Sequence, residues 1–223
     1  MKRIGLVTIG QSPRVDIVPD IRSALPATVS IVEGGALDGL SEAEVLAHPP
    51  ASTESTLCSR LADGTEVQFD KDFAHERLQQ VIRTLEDNVD LIGLLCSGTF
   101  TELTAKIPLL IPNKLLQGYL TALLLPGPWG MLVPTADQLE PILAELEEWG
   151  VDAIGIALSP YAESDRLEQA VRELVDRRVS AILLNCFGFT LEMKARAQAV
   201  SQKPIIAIGS MFIQALTELV PGK

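Results

Sequence analysis

Apolar residues along this chain follow two alternating rhythms. Short unbroken runs, closed by glycine or a turn residue, read as buried parallel strands; the stretches between them carry the period of amphipathic helices. The first run, Arg3 to Ile9, ends at Gly10, and Pro13 suits the first turn of a following helix. Thr28 to Val32 predicts a second strand, stopped by Glu33-Gly34-Gly35. Ser41 followed by Glu44 is a capping-box signature for a short helix. Ser55 to Leu61 and Thr65 to Phe69 predict a hairpin across Asp63-Gly64. Phe73, Leu78, Val81, Ile82 and Leu85 mark one face of a helix over 70–88, which leads into a strand from Val89 to Leu95 and a shorter one from Ile107 to Ile111.

From Trp129 the pattern begins again. Gly130 to Thr135 matches Gly5 to Gly10 and precedes a predicted helix over 136–149. A strand over 152–158, a helix over 164–177 and a strand over 179–185 follow. The two halves also share a junction. Leu94-Leu95-Cys96-Ser97-Gly98-Thr99 and Leu184-Asn185-Cys186-Phe187-Gly188-Phe189 both read as strand, Cys, one residue, Gly, then helix. The hairpin excursion at about 41–69 accounts for most of the extra length of the first half. Strands alternating with helices predict an α/β protein of two pseudosymmetric domains, each a mostly parallel sheet flanked by helices, with the site in the interdomain cleft.

Composition narrows the partners. Lys and Arg number 18 against 29 Asp and Glu, a formal charge of −11, which repels a phosphate backbone or an anionic membrane surface. No nucleic-acid or membrane partner is expected, whereas a small anion remains compatible with a few local donors. Mean hydropathy is +0.26. The longest apolar stretch, Leu115 to Val133, is broken by Pro126-Gly127-Pro128 and cannot form a bilayer helix, and Ile4 to Ile9 is too short for a signal peptide. A cytoplasmic protein is expected. The three cysteines, Cys58, Cys96 and Cys186, are widely separated and odd in number, which argues against a disulfide framework and a paired-cysteine zinc site, so reduced thiols and no metal are expected.

Ligands of open parallel sheets gather beyond the carboxyl ends of the strands, where Cys96 and Cys186 fall. Either cysteine alone reads first as a small core residue; matched positions in two halves favour a shared cleft. A following helix N-terminus would favour the thiolate. Gly98 and Gly188 let backbone approach a ligand, and Thr99, Thr101 and Thr190 add hydroxyl donors. Two thiols on opposite faces of one carbon can move a proton from one face to the other, with nearby amides stabilising the enediolate-like charge and no cofactor required. A phosphatase-like Cys-x5-Arg is excluded by Glu102 and Glu192. No Gly-rich nucleotide loop is present. His48 and His75 read as solvated, which disfavours a Cys-His hydrolase. The loop after the first strand offers Gln11, Ser12 and Arg14. Arg14 reads either as a clamp for a substrate carboxylate or as a surface residue near Asp16 or Asp20. Thr135 reads either as a ligand donor or as a helix cap. Cys58, on a hairpin strand, reads as packing.

Thr8-Ile9-Gly10-Gln11-Ser12-Pro13-Arg14, the hairpin insertion, Gly130-Met131-Leu132-Val133-Pro134 and Leu184-Asn185-Cys186-Phe187-Gly188-Phe189 together resemble the AroM family across nearly the whole chain. That family is similar to the aspartate/glutamate racemase superfamily, whose members place one cysteine from each of two α/β domains at the cleft. The resemblance implies that Cys96 and Cys186 are the catalytic pair, and that Ser97, Gly98, Thr99 and Phe187-Gly188-Phe189-Thr190 form the carboxylate-holding turns. The superfamily's Cys-Asn-Thr is here Cys96-Ser97-Gly98-Thr99 and its Cys-Thr is Cys186-Phe187, so some side-chain donors are replaced. The resemblance also implies domains of 1–115 plus about 209–223 and of 116–208, a homodimer, and no cofactor. The expected function is a racemase- or epimerase-like enzyme acting at the α-carbon of a small carboxylic or amino acid. The alternatives are a cis–trans isomerase or decarboxylase of a dicarboxylic acid, or a noncatalytic small-carboxylate binding protein.

Overall fold

Continuous burial along short apolar runs sets the central strands, and their parallel pairing forces helical crossovers between them. The computed structural model describes residues 2–100 and 102–220. The chain divides into two units, one running to Asn113 and resuming at Phe212, the other spanning Lys114–Met211.

In the first unit, β1 (Arg3–Thr8), β2 (Ser30–Gly35), β5 (Leu91–Leu95) and β6 (Leu109–Leu110) form a parallel sheet in the order β2-β1-β5-β6. The crossovers carry α1 (Val18–Ala24), α2 (Glu42–Leu46) and α3 (Lys71–Leu85). The Ser41–Glu44 capping box is present at α2. Between α2 and α3 a separate antiparallel hairpin joins β3 (Thr56–Arg60) to β4 (Glu66–Asp70). The Asp70 carboxylate then caps α3 by accepting from the Asp72 and Phe73 amides. Leu78 and Ile82 of α3 enter one core with Val7, Leu94, Phe69 and Val45. The Phe212 ring lies on Gly93 of β5, where an added Cβ would stand 2.5 Å from the ring's Cζ.

The second unit repeats the plan. β7 (Trp129–Val133), β8 (Ala153–Ala157), β9 (Ala181–Leu184) and β10 (Ile205–Ala207) pair in parallel in the order β10-β9-β7-β8. Around them lie α5 (Leu139–Glu148), α6 (Leu167–Asp176) and α7 (Leu191–Val200). Leu167, Ala170, Val171 and Leu174 form the buried stripe of α6. The chain crosses between the units within α4 (Pro112–Ala122) and returns within α8 (Ile208–Leu219). In each sheet the first and third strands are central, so their loops leave in opposite directions and open a crevice at their carboxyl ends.

Three local expectations are corrected, and one element was not anticipated. The first helix begins at Val18 rather than Pro13; the Ser12-Pro13 peptide is cis, and the Arg14 carbonyl takes the Ile17 and Val18 amides in a turn. β2 runs through Glu33-Gly34-Gly35, because these residues stay in register with Leu6, Val7 and Thr8. No helix follows Cys96 directly: the described residues from 97 to 108 are irregular, and their polar groups bond Asn113, Gln79 and Glu86 instead. The apolar run from Leu115 contains the end of α4, an unanticipated helix that starts at a proline and buries Leu116 and Leu120 one turn apart. Among the described residues no helix is long and apolar enough to cross a membrane.

Candidate active site

The third strand of each sheet delivers a cysteine. β5 ends at Leu95, and Cys96 follows with 7% exposure; its Sγ accepts the Gly98 N–H at 3.3 Å. β9 is extended by Asn185, whose N–H donates to the Leu132 carbonyl, and Cys186 follows with 7% exposure. Its Sγ accepts the Gly188 N–H at 3.4 Å. The same three-residue device thus occurs in both units. An amide aimed at sulfur is worth more to a thiolate than to a thiol. Cys58, inside the hairpin, is also buried, so burial does not single out the pair.

The Cys96 turn is held from below. Asn113, buried at the start of α4, donates Nδ2–H to the Thr99 Oγ1 at 3.2 Å and to the Ser97 carbonyl at 3.4 Å. On the Cys186 turn, the Phe189 N–H returns to the Cys186 carbonyl at 3.1 Å. Phe187 and Phe189 are both buried, and Phe189 belongs to the core of its unit, so their exposed chemistry is backbone. The Thr190 Oγ1 accepts the Met193 amide at 3.2 Å and caps α7. Tyr161, from the loop after β8, brings its Oη to 3.8 Å from the Cys186 Sγ.

Thr135 follows β7, the strand beside β9. It occupies the N-cap position of a single 3-10 turn over Ala136–Gln138 but makes no side-chain cap bond. Its Oγ1 is buried without a hydrogen-bond partner, and the residue is 8% exposed. The cap reading therefore fails.

The loop after β1 is committed to structure. The Gln11 Nε2 donates to the Leu37 and Leu40 carbonyls at 3.2 and 2.7 Å, while its Oε1 accepts the Ala62 amide at 2.8 Å. Gln11 staples the loop to the hairpin. The Ser12 amide and hydroxyl both donate to Asp38, at 2.7 and 2.6 Å. Arg14 is not on the surface: it is 2% exposed, forks onto Asp16 at 2.9 and 2.8 Å, and donates to Thr8 Oγ1 at 2.9 Å. Burial raises the Asp16 pKa, but the hydrogen bonds and charge of Arg14, helped by Arg60, outweigh it and hold the carboxyl below its usual range. The bidentate face offered to a substrate carboxylate is taken by Asp16.

Of the histidines, His48 is exposed and stacks on Phe73 at 3.9 Å. His75 is not solvated as expected: its Nε2 is buried without a partner, and its ring lies parallel to Phe100 at 6.4 Å. Thr101 lies outside the described residues. Tyr161, Asn113 and Lys194 were not anticipated. Lys194 donates to the Ser210 Oγ at 3.1 Å, and burial pushes its ammonium pKa down. Among the described residues no group of three or more His, Cys, Asp or Glu is placed to hold a metal ion.

The sequence matches the family model described as AroM protein over residues 4–220. No curated protein sequence matches it. Several solved structures share the fold at low identity. Allantoin racemase from Klebsiella pneumoniae superposes with a TM-score of 0.60 at 15% identity, covering 98% of this chain and 87% of that one. Arylmalonate decarboxylase gives 0.64 at 16%, covering 99% and 93%. Glutamate racemase from Aquifex pyrophilus gives 0.58 at 16%, covering 98% and 84%.

Proposed function

This chain belongs to the AroM family, and on that footing we propose that it is a cofactor-independent racemase- or epimerase-like enzyme acting at the α-carbon of a small carboxylic or amino acid. In this mechanism Cys96 and Cys186, one from each unit, act on the two sides of that carbon. One sulfur, as thiolate, takes the α-proton and becomes a thiol; the electron pair left on carbon is delocalised into the adjacent carboxylate. The opposing thiol then gives its proton to the other face and becomes the thiolate, so that atoms and charge balance and the centre inverts. The backbone amides of the Cys-x-Gly turns, with Ser97, Thr99, Thr135 and Thr190, supply donors for the carboxylate charge. The supporting observation is the repeated N–H···S turn after the third strand of both sheets. The fold likeness to two racemases is consistent with it.

A second reading, a decarboxylase or cis–trans isomerase using mainly one sulfur, draws support from the phenol beside Cys186 and from the likeness to arylmalonate decarboxylase. A homodimer in a reducing, cytoplasmic setting completes the proposal; none of the three cysteines forms a disulfide.

Incubation with panels of D- and L-amino acids and 2-substituted acids in deuterium oxide tests it. The expected result is α-deuteration of a member of the panel, reduced about 10²–10⁴-fold by Cys96→Ser and by Cys186→Ser. A panel that takes up no deuterium, or mutants that exchange at the wild-type rate, refutes the two-sulfur mechanism. Strongly unequal losses favour the one-sulfur reading. Tight calorimetric binding of an acid without turnover, unaffected by loss of both thiols, favours a noncatalytic binding protein.

A further inference from the structure

Beside Cys186 lies a side chain to which the two-sulfur mechanism above gives no role. The Tyr161 ring covers the Cys186 turn so closely that a Cβ added to Gly188 would stand 2.6 Å from its Cε1 and Cζ. Its Oη then lies 3.8 Å from the sulfur, within reach of a hydrogen bond to a large, polarisable acceptor. The loop is built to hold it there. Ser159 is buried, and its Oγ accepts the amides of Tyr161 and Ala162, each at 3.1 Å. The Ser159 amide in turn donates to Glu163 at 3.2 Å, and the Glu163 carbonyl end of the turn takes the Arg166 amide. A tyrosine whose ring requires a glycine opposite, on a turn closed by a buried serine, has a fixed address.

We propose that Tyr161 is the positioning residue of Cys186: its phenol O–H donates to the sulfur and, together with the Gly188 N–H, stabilises the thiolate. This deepens the proton-transfer reading and rests on it for its purpose, since it makes Cys186 the sulfur that starts as the base. Two charged groups on neighbouring segments are engaged with other partners. Glu163 pairs with Arg166, and Lys194 of α7 bonds Ser210.

The test is alkylation of the full-length protein with iodoacetamide across a pH series, followed by peptide mass spectrometry, with Cys58 and Cys96 as internal references. Tyr161→Phe keeps the ring over Gly188 and removes only the donor. The expected result is an upward shift of about one pH unit in the midpoint of Cys186 labelling, with the Cys96 midpoint unmoved. Ser159→Ala, which loosens the turn from a different point, is expected to shift Cys186 the same way by less. An unmoved or lowered Cys186 midpoint in either folded variant, or an equal shift at Cys96, overturns the proposal. If Tyr161→Phe does not fold, the Ser159→Ala midpoint alone decides. Alkylation needs no substrate, so the outcomes separate: absent α-proton exchange with a shifted midpoint removes the enzymatic reading alone, and exchange with an unshifted midpoint removes the role of Tyr161 alone.

Discussion

A buried hydroxyl without a partner is a cost the fold carries, and at Thr135 the cost can be measured. If the hydroxyl capped the 3-10 turn, replacing it would destabilise the protein by about 1 kcal/mol. Because the Oγ1 is unpartnered, Thr135→Val, which keeps the shape, is expected to leave stability unchanged or raise it by up to about 1 kcal/mol. The same variant is expected to weaken a bound carboxylate about tenfold, since one hydrogen bond to a charged group is lost. Denaturant melts and calorimetric titration with the acid identified by deuterium exchange check both halves; a destabilised variant would restore the cap. Which site features were legible follows from where the partners lie in the chain. Gly98 and Gly188 sit two residues from the sulfurs they serve, so their spacing is visible in the letters. Tyr161 reaches Cys186 across 25 residues and Asn113 reaches Thr99 across 14, and no local pattern marks either. Gln11 shows the converse: a polar residue at a strand end looks available until its partners, 26 to 51 residues away, are in place.

Elements set by burial were the most readable. The parallel strands, the capped α2, the hairpin and α3 follow from apolar period and turn chemistry, because their own residues carry the determining interactions. The segment after Cys96 and the delayed start of α1 follow from tertiary bonds, which periodicity cannot show. The loop between β1 and α1 is the clearest case: Ser12 bonds Asp38 and the Arg14 amide donates to Glu33, and within the loop so anchored Arg14 and Asp16 form a buried pair. Removing one partner of such a pair costs about 3–5 kcal/mol. Asp16 has a folded-state pKa below its ordinary 3.8. Its contribution is therefore complete above that value and is lost as pH falls through the lowered folded-state value. Arg14→Met is expected to lower stability strongly near neutrality. The deficit against wild type should shrink below about pH 4, where protonation discharges the stranded carboxylate. Thermal melts across the acid range check this, and a deficit independent of pH would mean that Arg14 acts through packing alone.

At the scale of the molecule, the two units repeat one strand order, and the repeat brings Gly5 onto Gly130 and Cys96 onto Cys186. Duplication of a plan explains why both cysteines have the same turn, and by itself it gives each of them only a place in its own unit. Both count among the buried residues of their cores. The proton-transfer proposal demands more: that the two sulfurs address one small molecule together. Dibromobimane, which becomes fluorescent when it bridges two nearby thiols, tests that demand without a substrate. Bridging is expected in the wild type and in Cys58→Ser, and is expected to vanish in Cys96→Ser and in Cys186→Ser. Monobromobimane labelling of the same samples reports whether each thiol is reachable. Two reachable thiols that are never bridged would leave each cysteine a reactive group of its own unit, and inversion at one carbon would lack its second face. Bridging in the wild type that each single mutation abolishes would bring the sulfurs within the span of one small reagent, as a shared substrate requires.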